Sequence, residues 1–378
     1  MSGVAAIRRE RCGYASRPRG GEVIGATRQV VVIGTGLIGT SVALALRERG
    51  DDVRLTDRDP AYVRMAAELG AGVPLEDGDG PADVAVIAVP PAAVASTLLD
   101  AQKRGLARVY TDVASVKSRP LREAAELGCD LTCYVAGHPL AGRERSGPAA
   151  ARADLFLGHP WALCPTPKTL PEAVEAVTAL AEACGAQTVV VDPEEHDRAV
   201  ALVSHGPHVA AAAVAARLEA APEVALGLAG QGIRDVTRIA ASDPSLWIGI
   251  LSSNAEPVAD VIDAVAADLA ATAAALRAGA ETDVTSLLRR GGTGRRRLPG
   301  KHGDRAGTYA VVSVVIPDRP GELALLFQAA GVAGVNIEDV TIEHSPGRPV
   351  GVVELSVTPA AAQRLADELR ARGWSVPG

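Results

Sequence analysis

The chain is poor in cysteine and in lysine, and each scarcity removes a class of function. Its 378 residues include five cysteines, Cys12, Cys129, Cys133, Cys164 and Cys184. A small odd number, with only Cys129 and Cys133 closely spaced, argues against a disulfide framework and for a reducing, cytoplasmic setting. Of 38 basic residues only Lys103, Lys117, Lys168 and Lys301 are lysines, and the formal net charge is -7. The chain therefore makes no electrostatic approach to nucleic acid or to an anionic membrane. Its first 28 residues carry positive charge with no continuous apolar segment behind it, which supports neither a signal peptide nor a membrane span. Residues 1–27 are expected to form a disordered leader.

What the chain does have is apolar residues, 48% of the total, over a length beyond the roughly 250–300 residues at which a single core stops growing. Two or three domains follow. Alanine runs such as HVAAAAVAARLEAA reflect overall composition rather than a functional tract.

The first domain opens with a short apolar strand that runs into GTGLIGTSVALALRERG. This is G-x-G-x-x-G between a strand and a helix, the setting that the pattern needs. Gly34 allows the tight turn, Gly36 lets the backbone approach a pyrophosphate, and Gly39 lets helix and strand pack closely. Thr35, Leu37 and Ile38 complete the loop. A second strand, DVRLTD, ends in Asp57, where a carboxylate can accept from the adenosine ribose hydroxyls and repel a 2'-phosphate. NAD is favoured over NADP, although Arg58 beside it is able to take that phosphate. Further apolar strands follow at 83–90, 108–115, 132–139, 160–165 and 187–192, alternating with helical stretches, so residues 28–192 are expected to form a Rossmann-type, mostly parallel, doubly wound α/β sheet.

Ligands of such sheets sit beyond the carboxyl ends of the strands. Val89 and Pro90, Ser115 in DVASVK and His138 in GHPLAG all fall at such ends. His138 is aimed at the reactive end of the cofactor, although a strand-capping role would also place a histidine there.

Strand signals stop near residue 193, and 193–288 read as an all-helical domain of the kind that closes a cleft and supplies a dimer contact. Gly206 and Pro207 interrupt the helix beside His205 and His208. These two histidines share a face, and the only nearby candidates for a third ligand are Asp197 and His196; His196, nine residues before His205, falls on roughly the opposite face, and the spacing does not make a metal site. No metal is expected. Arg234 and Arg238 are one helical turn apart and can clamp a carboxylate; Ser242, Asp243 and Trp247 flank them.

In this order and at these spacings, GTGLIGTSVALAL, DVASVK, GHPLAGRERSG, HDRAVALVSHGPH and RDVTRIAASDPSLW resemble the prephenate and arogenate dehydrogenases of tyrosine biosynthesis. The resemblance implies an NAD-linked oxidative decarboxylation of prephenate, or of arogenate, in a homodimer. Residue by residue, it makes His138 the base on the ring hydroxyl and Ser115 its orienting partner. Arg238 becomes the carboxylate clamp, His205, Ser242 and Trp247 pocket residues, and Glu144 and Arg234 a charge pair at the mouth. Gly206 stands where the family pattern would carry a bulkier residue. Two rivals remain. A β-hydroxyacid dehydrogenase would need a lysine in the helical half, and 193–290 contain none; a nucleotide-sensing regulator would bind the cofactor without turnover.

Residues 289–307, rich in glycine and arginine, read as a linker with no aromatic interleaved for nucleic acid. Residues 308–378 alternate strand, helix, two strands, helix, strand, the order of a ferredoxin-like α+β unit. DRPGELALLFQAAGVAGVNI resembles an ACT regulatory domain. That resemblance implies an amino-acid effector, tyrosine, near Asp318, Pro320, Gly321 and Asn336.

Overall fold

A computed structural model describes residues 27–142, 145–298, 309–344 and 349–377. The expected leader, apart from Thr27 at its end, and Glu144 lie outside the described residues.

The first strands and helices are β1 (Gln29–Ile33), α1 (Leu37–Glu48), β2 (Asp52–Thr56), α2 (Pro60–Glu68), the two-residue β3 (Val73–Pro74) and β4 (Ala82–Ile87). There follow α3 (Pro91–Lys103), β5 (Ala107–Asp112), α4 (Ser118–Glu126), β6 (Tyr134–Pro139), β7 (Pro160–Cys164), α5 (Pro171–Ala183) and β8 (Gln187–Val190). They alternate, except that β3 runs on to β4 and β6 to β7 without an α-helix between them. The sheet order is β3-β2-β1-β4-β5-β6-β7-β8. All pairings are parallel except β6 with β7, where His138 lies opposite Ala162. The central strands are runs of valine, isoleucine and alanine because helices cover both their faces. Val30, Val32, Val84 and Val86 face one core, and Val31, Ala85 and Ile87 the other. Strand order reverses between β1 and β4, which opens a crevice beyond their carboxyl ends.

The helical segment begins with α6 (Pro193–Val200), whose Asp192 caps it by accepting from the backbone N–H groups of Glu194 and Glu195. A π-turn at Ala201–His205 leads into α7 (Gly206–Ala215). This turn corrects one expectation. Nine residues of regular α-helix rotate by about 900°, which sets His196 and His205 half a turn apart. A π-turn absorbs one extra residue, leaving the equivalent of about eight steps and bringing both rings to the same side. Gly206 is explained as well: a Cβ there would sit 2.5 Å from Cγ1 of Val261, so a bulkier residue has no room.

After α7 come α8 (Glu223–Gly227), α9 (Gln231–Thr237), a 3-10 turn at Arg238–Ala241, α10 (Pro244–Ser253), α11 (Ala255–Ala278) and α12 (Glu281–Arg295). Both α9 and the 3-10 turn pack on α7, and α10 packs on α3. The run Pro193–Leu218 is long and apolar enough, by length and composition, to cross a membrane. Buried His196, Asp197, His205 and His208 lie within it, which suits a helix packed in protein.

Residues 289–295, expected as linker, instead finish α12. Acidic Glu281 and Asp283 in its first turn and Arg295 in its last oppose the helix dipole, and Arg290 donates to Asp268 of α11 at 2.5 Å. These contacts offset the poor helix propensity of Gly291, Gly292 and Gly294.

The C-terminal elements are β9 (Ala310–Pro317), α13 (Glu322–Val332), β10 (Asp339–His344), β11 (Val350–Val357) and α14 (Pro359–Ala371). They form a small antiparallel sheet in the order β10-β11-β9, with Ser375 bridging to Val315 on the free edge of β9. Val314, Leu326, Val353, Leu355, Leu365 and Leu369 make its separate core.

Candidate active site

The turn between β1 and α1 is pressed against the end of β4. Gly34 has φ +101°, and a Cβ on it would lie 2.3 Å from the carbonyl oxygen of Ala88. A Cβ on Gly39 would lie 1.9 Å from the Gly34 oxygen and 2.9 Å from Ala88 Cβ. A Cβ on Gly36 would meet nothing within 4 Å, so the middle of the loop faces open space. Into that space α1 starts with no side-chain cap and no acidic residue in its first turn, which leaves its N-terminal N–H groups for an anion. A dinucleotide pyrophosphate fits this cradle, between the loop and Ala88–Val89.

Asp57 follows β2 and stands beside this loop. Its Oδ2 accepts from the Thr35 backbone at 2.6 Å and from the Thr35 hydroxyl at 3.3 Å, and its Oδ1 accepts from the Asp59 N–H at 2.9 Å. Asp57 thus ties the glycine loop to the end of β2. A carboxylate has about four acceptor positions, so room remains for a ribose hydroxyl.

At the other end of the crevice, half-buried His138 sits near the tip of β6. Its Nδ1 is 2.9 Å from Nε2 of His196, and the rings meet edge to face at 5.1 Å. His196 Nδ1 is 2.9 Å from Oδ1 of Asp197, a carboxylate that also accepts from the backbone N–H groups of Lys117 (2.8 Å) and Ser118 (2.9 Å). The side-chain amide of Asn254 donates to the Asp197 carbonyl at 2.8 Å and to Nδ1 of His205 at 3.2 Å. His205 meets Trp247 edge-on at 6.2 Å, and His208 stacks flat on the same indole at 3.5 Å.

Beneath this chain lies a buried ion pair. Lys117, fully buried, donates from Nζ to Asp112 Oδ1 and to the Gly137 carbonyl, both at 2.5 Å. Tyr134 donates to the other Asp112 oxygen at 2.6 Å. Such a pair is held in place by the cost of separating it; here it braces β5 against the residue before His138.

These surroundings set the protonation states. Burial, then the charge of Lys117, then His196 and His205, push His138 well below the usual histidine value. Burial pulls His205 down to about 4 against the opposing charge of Asp197. For Asp197, burial favours the neutral acid, but the hydrogen bonds from His196 and from the Ser118 and Lys117 backbone prevail and hold it below the ordinary carboxylate range. Near neutral pH the site holds uncharged His138 and His205 beside an ionised Asp197.

The fold brings His138, His205 and Trp247 into one neighbourhood. Ser115 is half-buried in the loop between β5 and α4, two residues before Lys117. Arg238 is exposed at the 3-10 turn on α7, Arg234 is exposed on α9, and the Ser242 hydroxyl donates to the Ile239 carbonyl at 3.0 Å. In the C-terminal unit Asp318, Pro320 and Gly321 occupy the turn from β9 to α13, with Gly321 at φ +92°, and Asn336 donates to Glu338 at 2.7 Å. Sequence reasoning weighed His196 and Asp197 only as metal ligands and passed over Asn254 and the Lys117–Asp112 pair. The available signal was the dipeptide His196-Asp197 itself, set aside once its metal-ligand spacing failed.

The family model for the prephenate dehydrogenase nucleotide-binding domain matches residues 42–190, and that for the prephenate dehydrogenase dimerization domain matches 192–290. The chain belongs to the prephenate dehydrogenase family. It is an NAD-linked oxidoreductase, as its glycine loop and Asp57 imply. It is similar to the Probable prephenate dehydrogenase NovF of Streptomyces niveus, with 43% identity covering 92% of this chain and 99% of that one. A prephenate dehydrogenase structure from Aquifex aeolicus, in complex with hydroxyphenyl propionate and NAD+, aligns at TM-score 0.64 and 28% identity over 71% of this chain and 98% of that one. A Synechocystis arogenate dehydrogenase aligns at 0.60 and 26%, again over 71% and 98%. The family's two domains match the expected Rossmann sheet and helical domain.

Proposed function

We propose that this enzyme oxidises and decarboxylates prephenate to 4-hydroxyphenylpyruvate. The observation that carries the reading is His138: an uncharged imidazole at a strand tip on the crevice edge where the nicotinamide of a cofactor seated on the glycine loop would emerge. NAD+ supplies the hydride acceptor when bound. The Gly36 cradle and Asp57 hold its phosphates and ribose; Val89 and Pro90 wall it at the end of β4. His138 takes the proton of the ring hydroxyl as hydride leaves the same carbon, and Ser115 orients that hydroxyl. Loss of the ring carboxylate as CO2 then makes the ring aromatic, and His138 returns the proton to the phenolate oxygen, so no net proton is consumed. Arg238 clamps a substrate carboxylate. His205, Ser242 and Trp247 line the pocket, with Arg234 at its mouth. A positioned base contributes about 10²–10⁴ in rate, and the clamp converts binding into orientation.

The protein acts as a homodimer. Supporting this, α8, α9 and α10 contain no buried residue, and Leu228 is 82% exposed. Its four described cysteines are buried free thiols, which suits a cytoplasmic enzyme. The C-terminal unit is read as an ACT domain that takes tyrosine at Asp318, Pro320, Gly321 and Asn336, on the strength of its strand order and the left-handed Gly321 turn.

The deciding experiment follows NADH formation with prephenate and with arogenate side by side, with and without tyrosine. Faster turnover of prephenate is expected. Preference for arogenate would change the substrate, and NAD+ binding with turnover of neither would leave a nucleotide sensor.

A further inference from the structure

With a neutral His196, the groups behind His138 can be hydrogen-bonded in only one direction. The Asp197 carboxylate has no hydrogen to give, and it already accepts from two backbone N–H groups. His196 Nδ1, 2.9 Å from Oδ1, therefore carries a hydrogen. In a neutral His196 that leaves Nε2 as an acceptor. His138 Nδ1, 2.9 Å from that atom, must then be the donor, so its lone pair lies on Nε2.

We propose that Asp197 and His196 are positioning residues that lock His138 into the Nδ1–H tautomer, leaving Nε2 bare to receive the proton of the substrate hydroxyl. The inference rests on His138 being the base. Asp197 suits this role because it is fixed on three sides. The backbone N–H groups of Lys117 and Ser118 hold its carboxylate, and Asn254 holds its carbonyl. The N–H donors come from the segment that also carries Ser115, so one buried carboxylate sets the relative placement of base and orienting serine. Through Asn254 the same residue reaches His205. The groups facing the two rings are the cation Lys117 with its partner Asp112, the anion Asp197 and the uncharged His205. When His138 gains its proton, the Asp197 charge, relayed through the polarised His196 ring, offsets the Lys117 charge that opposes it. The chain orients and stabilises; it does not need to move the proton onward.

The contrary arrangement is a His196 imidazolium donating from both nitrogens, which would force a hydrogen onto His138 Nε2 and block it. Nitrogen-15 NMR of the folded wild-type dehydrogenase with labelled histidines separates the two. His138 protonated at Nδ1 is the expected result, and protonation at Nε2 overturns the proposal whatever the kinetics show. Kinetics give the second arm. In Asp197→Asn the amide can point its NH2 at His196 and reverse the chain. We expect kcat to fall about 10²–10⁴-fold, as a wrong tautomer does elsewhere. KM for prephenate and affinity for NAD+ should stay within about twofold, and the acid limb of the pH–kcat profile should move to lower pH because an anion has been removed. His196→Gln, which keeps an oxygen where Nε2 accepts, should retain more than about a tenth of kcat, while His196→Leu should fall with Asp197→Asn. Wild-type kcat and pH profile in Asp197→Asn, alongside a crippled His138→Asn, would overturn the relay and leave the base assignment standing. Wild-type turnover in His138→Asn would overturn both.

Discussion

The sheet half and the helical half of this enzyme differ in how far each completes itself. In β4 five of six residues are buried, and the flanking helices seal both faces of the sheet. In the stretch spanning α8 to α10 no residue is buried, and Val224, Leu228, Val236 and Ile248 stand more than half exposed. A lone apolar residue on a surface needs no explanation, whereas a run of them across three helices marks a surface meant to be covered. In the proposed assignment the chemistry is divided accordingly, with the base His138 on a strand of the finished sheet and the clamp Arg238 on the exposed segment. The sheet half should therefore govern rate and stability, and the helical half substrate affinity.

Four substitutions or conditions test that division. His138→Asn should lower kcat about 10²–10⁴-fold with little change in KM; a variant that raised KM instead would move His138 to the binding side. Lys117→Met should cost about 3–5 kcal/mol of unfolding free energy, because Asp112 is left buried without its cation. Denaturant melts would read this, and a loss under about 1 kcal/mol would mean that Tyr134 and the backbone suffice. Arg238→Gln should raise KM for prephenate about 10–100-fold, the loss of a charge-assisted bidentate contact, with kcat nearly kept; an unchanged KM would refute the clamp.

The smallest effect concerns pH. His205 is lowered in the folded state to about 4 from 6.5, so the unfolded chain takes up its proton first as pH falls. Stability is full above about 6.5 and is lost progressively down to about 4. Thermal melts across that window should flatten in His205→Gln, and identical slopes would show that another group dominates.

Much of the sheet half was legible from sequence because its signals are local. A strand, three glycines and a helix start fall within 11 residues from Gln29 to Gly39, and hydrophobic runs fixed six further strands. The two-residue β3 and the reversed direction of β7 were not legible, since neither leaves a periodic trace. In the helical half, periodicity misplaced His196 relative to His205 because it assumes an unbroken α-helix. Lys117 escaped attention for a different reason: a lysine inside a core runs against every compositional expectation, and only its pairing with Asp112 makes it tenable. Gly291, Gly292 and Gly294 read as linker because their helix is held by contacts far off in sequence, such as Arg290 with Asp268.

The π-turn at Ala201–His205 makes residue count matter here as much as residue identity. Removing any one of those five residues would restore ordinary α-helical phase and swing everything after it by roughly 100° about the axis. Gly206 would leave Val261, and the indole of Trp247 would lose its stacked imidazole. Single-residue gaps should therefore be tolerated readily in the loops of this chain and hardly at all between Val200 and Pro207.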